Sequence, residues 1–160
     1  NAHLSGWSLP IKRGLEMKRK ILVFILGVIG LVFIAGCVET ETDIQLTRRI
    51  FNGLCSGNQR TQALIDWQTL KAMGVDVGRA YSNIVLEKDR RDYRKMFFYN
   101  LSYTFKATGG KISAFTNWRV QSRDGNNTVV AVDTPSGKVL LLALAYKGGK
   151  RKLSAIQWQQ

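Results

Sequence analysis

Histidine is almost missing from this sequence. His3 is the only one in 160 residues, so any site built further along must work without an imidazole. Histidine-dependent triads and histidine-ligated metal centres are thereby excluded from the body of the chain. Acids are also scarce, 11 against 24 lysines and arginines for a net charge of +13. No two carboxylates stand at a spacing that would drive their pKa values apart, as a general acid and base pair requires. No glycine-rich phosphate loop follows a strand pattern, which removes nucleotide binding by that route. No cofactor motif and no metal-ligand spacing is present, and there are no internal repeats and no low-complexity runs. Cysteine occurs twice, at Cys37 and Cys55.

What is present begins at Met17. Lys18, Arg19 and Lys20 precede the uncharged run Ile21 to Gly36, which ends in Ile34-Ala35-Gly36 before Cys37. A basic n-region, an apolar h-region and small residues before a cut make a secretory signal peptide. With cysteine directly after the small pair, the segment resembles a bacterial lipoprotein signal. That resemblance implies cleavage between Gly36 and Cys37, acylation of the Cys37 sulfur and of the new amino terminus, and palmitate among the chains. An uncleaved anchor is the alternative. Its apolar run would span about 24 Å at 1.5 Å per residue, short of the roughly 20 residues a bilayer core requires, and Gly27, Gly30 and Gly36 weaken such a helix.

Met17 stands where an initiator would, so residues 1–16 are expected to be upstream, non-native sequence or the product of a misplaced gene start, and are set apart from the fold. Residues 17–36 are then the signal and 37–43 a polar tether, leaving a single domain over 44–160. From Cys37 on there are 19 basic and 10 acidic residues, a net charge of +9. An exported pair of cysteines ordinarily suggests a disulfide. With lipid on Cys37, Cys55 is left alone and is expected to be buried and inert.

Within the domain, Leu46, Ile50, Phe51 and Leu54 recur at helical spacing, with Thr42 or Asp43 to cap the start and Gly57 to stop it. A second helix is expected over 58–73, with Ala63, Leu64, Trp67 and Leu70 on one side and Gly74 as its stop. A third fits 83–106, with Leu86, Tyr93, Phe97, Leu101 and Phe105 near one face and Gly109-Gly110 as its end. The period then changes to two. Ile112, Ala114, Thr116, Trp118 and Val120 share the face of a first strand. Turns at Asp124-Gly125-Asn126-Asn127, Pro135-Ser136-Gly137-Lys138 and Lys147-Gly148-Gly149-Lys150 separate strands over 128–134, 139–146 and 151–158. Val139 to Tyr146 is apolar on both faces, as a central strand is. Helices followed by an antiparallel meander predict an α+β fold, three N-terminal helices packed on a curved four-stranded antiparallel sheet covered by the long third helix.

That order of elements resembles the nuclear transport factor 2-like (cystatin-like) superfamily, and within it small bacterial lipoproteins of unknown function. The residues carrying it are Ile65-Asp66-Trp67-Gln68-Thr69-Leu70, the basic stretch Arg90 to Lys95, Asn117-Trp118-Arg119-Val120 and Ile156-Gln157-Trp158. The resemblance covers about residues 44–160 and implies a cone whose wide end often opens as an apolar pocket. Its members include isomerases and dehydratases as well as plain binding domains. Two functions of different class follow. One is a non-enzymatic, lipid-anchored envelope domain that binds a small apolar ligand, a protein partner or an anionic membrane surface. The other is a cone-pocket enzyme with a carboxylate base, for which Asp66 or Asp133 would serve with Tyr81, Tyr99 or Tyr103 as donor. Against the enzyme stands the plainer reading of Asp66 as a solvated or ion-paired residue and Trp67 as core filler.

Basic residues cluster twice, as Arg90, Arg91, Arg94 and Lys95 and as Lys147, Lys150, Arg151 and Lys152. Such clusters favour anionic surfaces; the plainer reading is a charged face that is merely solvated. The chain's own membrane is the simplest partner, reached through the lipid on Cys37. Nucleic acid is the less favoured one, because no aromatic stacking platform stands beside the basic residues. The expected location is the bacterial cell envelope. In a host with two membranes, Val38 after the cysteine resembles sorting to the periplasmic face of the outer one; with one membrane, the domain lies on the outer face of the plasma membrane. Intact mass of the membrane-extracted chain should show an acylated product starting at Cys37, and Cys37→Ala should abolish acylation. An unacylated chain retaining Met17 would contradict this.

Overall fold

The computed structural model describes residues 41–159. Gly36, Cys37, the signal-like run and the first residues of the tether lie outside the described residues. Helix α1 (Asp43–Ser56) starts where the sequence placed it. Thr42 Oγ1 accepts from the Gln45 N–H at 3.2 Å and Gln45 Oε1 accepts from the Thr42 N–H at 2.9 Å, a reciprocal capping box. Gly57, at φ +76°, closes the helix in the left-handed conformation. Leu46, Ile50, Phe51 and Leu54 are buried along one face.

The helix expected over 58–73 is absent. A six-residue 3-10 turn (Gln59–Leu64) is followed by a bridge at Ile65, a turn over residues 67–69 and strand β1 (Lys71–Ala72). Asp66 gives the local reason. Its carboxylate accepts from the Gln68 N–H at 3.3 Å and the Thr69 hydroxyl at 2.8 Å, bonds that compete with helical ones. The sheet gives the tertiary reason. The Asp66 N–H donates to the Leu153 carbonyl and the Met73 N–H to the Ile156 carbonyl, so the segment satisfies an edge that a helix would leave bare. Gly74 stops no helix. Met73 and Gly74, at φ +50° and +85°, form a two-residue hairpin turn into β2 (Val75–Asp76).

A short helix α2 (Val77–Ser82) and the 21-residue α3 (Glu87–Ala107) follow. Leu86 precedes α3 and is exposed, whereas Phe98, one position round from the expected Phe97, is fully buried. Ile112–Ala114 forms a 3-10 turn, so the next strand, β3 (Thr116–Asp124), starts four residues later than the alternation suggested. Asn117 at φ +51° marks an irregularity in its pairing, an excursion asparagine tolerates better than most residues. Strands β4 (Asn127–Asp133), β5 (Val139–Lys147) and β6 (Lys150–Trp158) complete the meander.

The sheet therefore has six strands, not four, in the order β2-β1-β6-β5-β4-β3, and it is mixed because β1 runs parallel to β6. β5 is interior, as its two apolar faces require. A second correction concerns the cover. α1 lies against β3, β4 and β5, while α3 packs on α1 and the first 3-10 turn. Among α3 residues only Phe98 and Ser102 are fully buried, so the highly charged α3 is an outer layer. The architecture is α+β, N-terminal helices on a mostly antiparallel sheet. All core residues fall between Leu46 and Ile156 and the first cap is Thr42, so a chain starting at Val38 keeps every one of these contacts.

Trp118 is half-buried, its ring 5.5 Å from Phe51 and its Nε1 donating to the Phe115 carbonyl at 3.1 Å. Phe98 has no exposure at all. Chemical denaturation should therefore show Phe98→Ala costing about 3–5 kcal/mol and Trp118→Ala less. The reverse order would contradict this packing.

Candidate functional site

Between α1, α3 and one end of the sheet lies a pocket of about 530 Å³. Phe51, Leu54 and Cys55 of α1 form one wall, and Phe97, Leu101 and Phe105 of α3 the other. Leu140 and Ile156 close it from the sheet. Its rim carries Asn100 and Thr104, both exposed, and the half-exposed Met73 and Trp158. Among the described residues, no charged one lines it. Burial pushes the Cys55 thiol up to about 12, so this wall residue is an apolar contact and not a nucleophile.

Asp66 faces elsewhere. It borders a separate cleft of about 490 Å³ with Trp67, Tyr81, Lys147, Lys150 and Lys152. Lys147 Nζ stands 3.1 Å from both carboxylate oxygens and from Gln68 Oε1. Burial alone would raise this carboxyl. The Thr69 hydroxyl, the Lys147 ammonium and the Gln68 N–H together outweigh it and hold the pKa below the ordinary value. A general base working near neutral pH needs the opposite shift. Tyr81 is occupied as well, its hydroxyl accepting from Arg94 at 2.5 Å. Tyr99 and Tyr103 are exposed on α3 and stack on each other. Trp67 is buried core, with its Nε1 donating to the Gln62 carbonyl at 3.0 Å. Asp133 binds Arg119 and Asn117 at 2.8 and 2.9 Å, and these bonds, Arg119 first, hold its pKa down.

The basic residues singled out from the sequence divide in the structure. Arg90 donates from Nε to the Ile84 carbonyl at 2.7 Å and lies over the Tyr81 ring, and Arg94 reaches Tyr81 and Glu87. Both are inward-turned. Arg91 and Lys95 stay exposed, with Asp92 3.7 Å from Lys95. Arg151 pairs with the buried Asp43 at 2.7 Å, while Lys150 is exposed and Lys152 half-buried at the cleft. A third cluster escaped the sequence reading. Arg48, Arg49 and Arg60 line an open groove of about 730 Å³ on the outer side of α1. Its signal was the polar stripe Gln45, Arg48, Arg49 and Asn52, the complement of the apolar positions that define the helix. Arg60 joins it only because the 3-10 turn folds back along α1.

Among the described residues, no group of three His, Cys, Asp or Glu side chains converges as a metal site. No family model, no curated protein and no solved structure matches the chain.

A carboxyl with a lowered folded pKa stabilises above its unfolded value near 4, and that contribution disappears as pH falls through the folded pKa. Asp66→Asn should therefore lower the melting temperature at pH 7, with the gap to the parent narrowing below about pH 4. A gap independent of pH would show that the Lys147 pair contributes nothing.

Proposed function

We propose that this chain is a lipid-anchored protein of the bacterial envelope whose domain binds a small apolar molecule between α1 and α3. On this reading the fold is a nuclear transport factor 2-like cone and the pocket is its wide end. The observation that carries the proposal is the uncharged lining of a pocket of about 530 Å³, with only amide and hydroxyl groups at its polar rim. Apolar walls supply affinity by removing ligand surface from water, and a few polar rim groups fix orientation. The basic n-region, uncharged h-region and Cys37 support the anchor.

The carboxylate-enzyme reading fits less well. It needs an acid in the cone pocket, and Asp66 and Tyr81 border the other cleft, with their polar atoms committed to Lys147, Thr69 and Arg94.

N-phenyl-1-naphthylamine, an uncharged fluorescent probe, should bind the soluble chain starting at Val38 with enhanced emission. Thr104→Trp places an indole in the mouth from an exposed helix position and should weaken binding by about tenfold or more without lowering the melting temperature. No binding, or binding indifferent to Thr104→Trp, would overturn the proposal.

A further inference from the structure

We infer that the arginine groove on the outer side of α1 is a docking site for the anionic headgroups of phospholipids in the membrane that holds the chain. Three observations converge on it. The first is charge. Arg48, Arg49 and Arg60 line the groove, and among the described residues no carboxylate lines it. Glu41 contacts Arg49 at 2.6 Å from beyond the lining, so one arginine of the three is already paired. Arg48 is held over the Trp118 ring, 5.7 Å from its centroid, which orders the guanidinium and leaves its edge free for a phosphate.

The second is chemistry. Beside the arginines stand Asn52 and Asn58, uncharged groups able to bond phosphate ester and glycerol oxygens, and Leu64 and Ile112 add an apolar edge. Arginine forks match phosphate oxygens in pairs, which a lysine patch does not.

The third is reach. Only five residues separate Cys37 from Asp43, and the six residue steps between them, fully extended, span at most about 21 Å. Arg48 lies about 8 Å further along α1 at 1.5 Å per residue. With lipid on Cys37, the first turns of α1 cannot leave the neighbourhood of the bilayer surface. The β5–β6 hairpin lies within the same reach, because Arg151 pairs with Asp43 at 2.7 Å, so reach keeps both patches near the bilayer and the arginine chemistry singles out the groove.

The reach argument rests on the anchored reading, so the test is made without the lipid. The chain starting at Val38 is co-sedimented with phosphatidylcholine vesicles, with and without about one-third phosphatidylglycerol. It should bind only the anionic vesicles and be released as salt approaches about 0.5 M. Changing Arg48, Arg49 and Arg60 together to Gln should weaken binding by about tenfold or more. Changing Arg91, Lys95 and Lys150 to Gln removes the same charge elsewhere and should weaken it by less than about threefold. Should the groove triple fail to fold, Asn52→Glu puts a carboxylate in the groove without breaking a side-chain hydrogen bond and must weaken binding likewise. Equal losses in the two triples, or no preference for anionic vesicles, would overturn the inference. A failure of the anchored reading registers separately, in the mass of Cys37.

Discussion

The arrangement of this domain depends on how the start of α1 is held. Asp43, in its first turn, is almost wholly buried, with 3% exposure. Its Oδ2 receives Arg123 at 3.2 Å and Thr128 Oγ1 at 3.4 Å, tying the helix to β3 and β4. Its Oδ1 lies 2.7 Å from Arg151 Nη1 of β6 without an aligned hydrogen bond, so that contact is a charge pairing only. A buried carboxylate left alone would be costly, and two arginines whose outer parts stay in water compensate it cheaply. The same charge suits the positive end of the helix. Further along α1, Gly53 admits the Thr61 side chain, whose Oγ1 comes within 1.9 Å of where a β-carbon would stand. With α1 fixed at these points, its inner face walls the apolar pocket and its outer face presents the arginines.

This explains why a strongly basic sequence does not yield a uniformly basic surface. Each carboxylate drawn toward the interior takes cationic partners with it: Asp43 takes Arg123 and Arg151, and Asp66 takes Lys147. Arg90 and Arg94 are spent on Tyr81 and on the chain entering α3. A run of like charges in sequence thus splits by helix face and by turn. Three exposed arginines, Arg48, Arg49 and Arg60, come together where α1, the 3-10 turn and Ile112 meet.

Elements whose signals are local were legible in the sequence. α1 carried its own capping pair, its apolar stripe and its terminal glycine. The hairpins of the meander carried their turn residues, and β5 carried two apolar faces. Residues 58–73 were misread because Ala63, Leu64, Trp67 and Leu70 fit a helical period, while the buried apolar set is Ile65, Trp67, Leu70 and Ala72. What decides that segment is the open edge of β6, more than 80 residues away in the chain, and no local pattern reports it. No local pattern pointed to the pocket, and Leu101 and Phe105 were placed on the correct helix face without their facing a cavity being apparent. The arginine groove was hidden by distance, since Arg60 reaches it through the 3-10 turn that replaced a helix.

Under the proposed function, two apolar surfaces among the described residues compete for the ligand. One is the pocket between α1 and α3; the other is the far face of the sheet, where Val129, Leu141 and Ala143 are only partly covered. Isotope-filtered NOE spectroscopy with carbon-13-labelled decane on the chain starting at Val38 separates them most directly. The account predicts contacts from the alkane to Leu101, Phe105 and Leu54. Contacts to Val129 and Leu141 instead, or none at all, would contradict it.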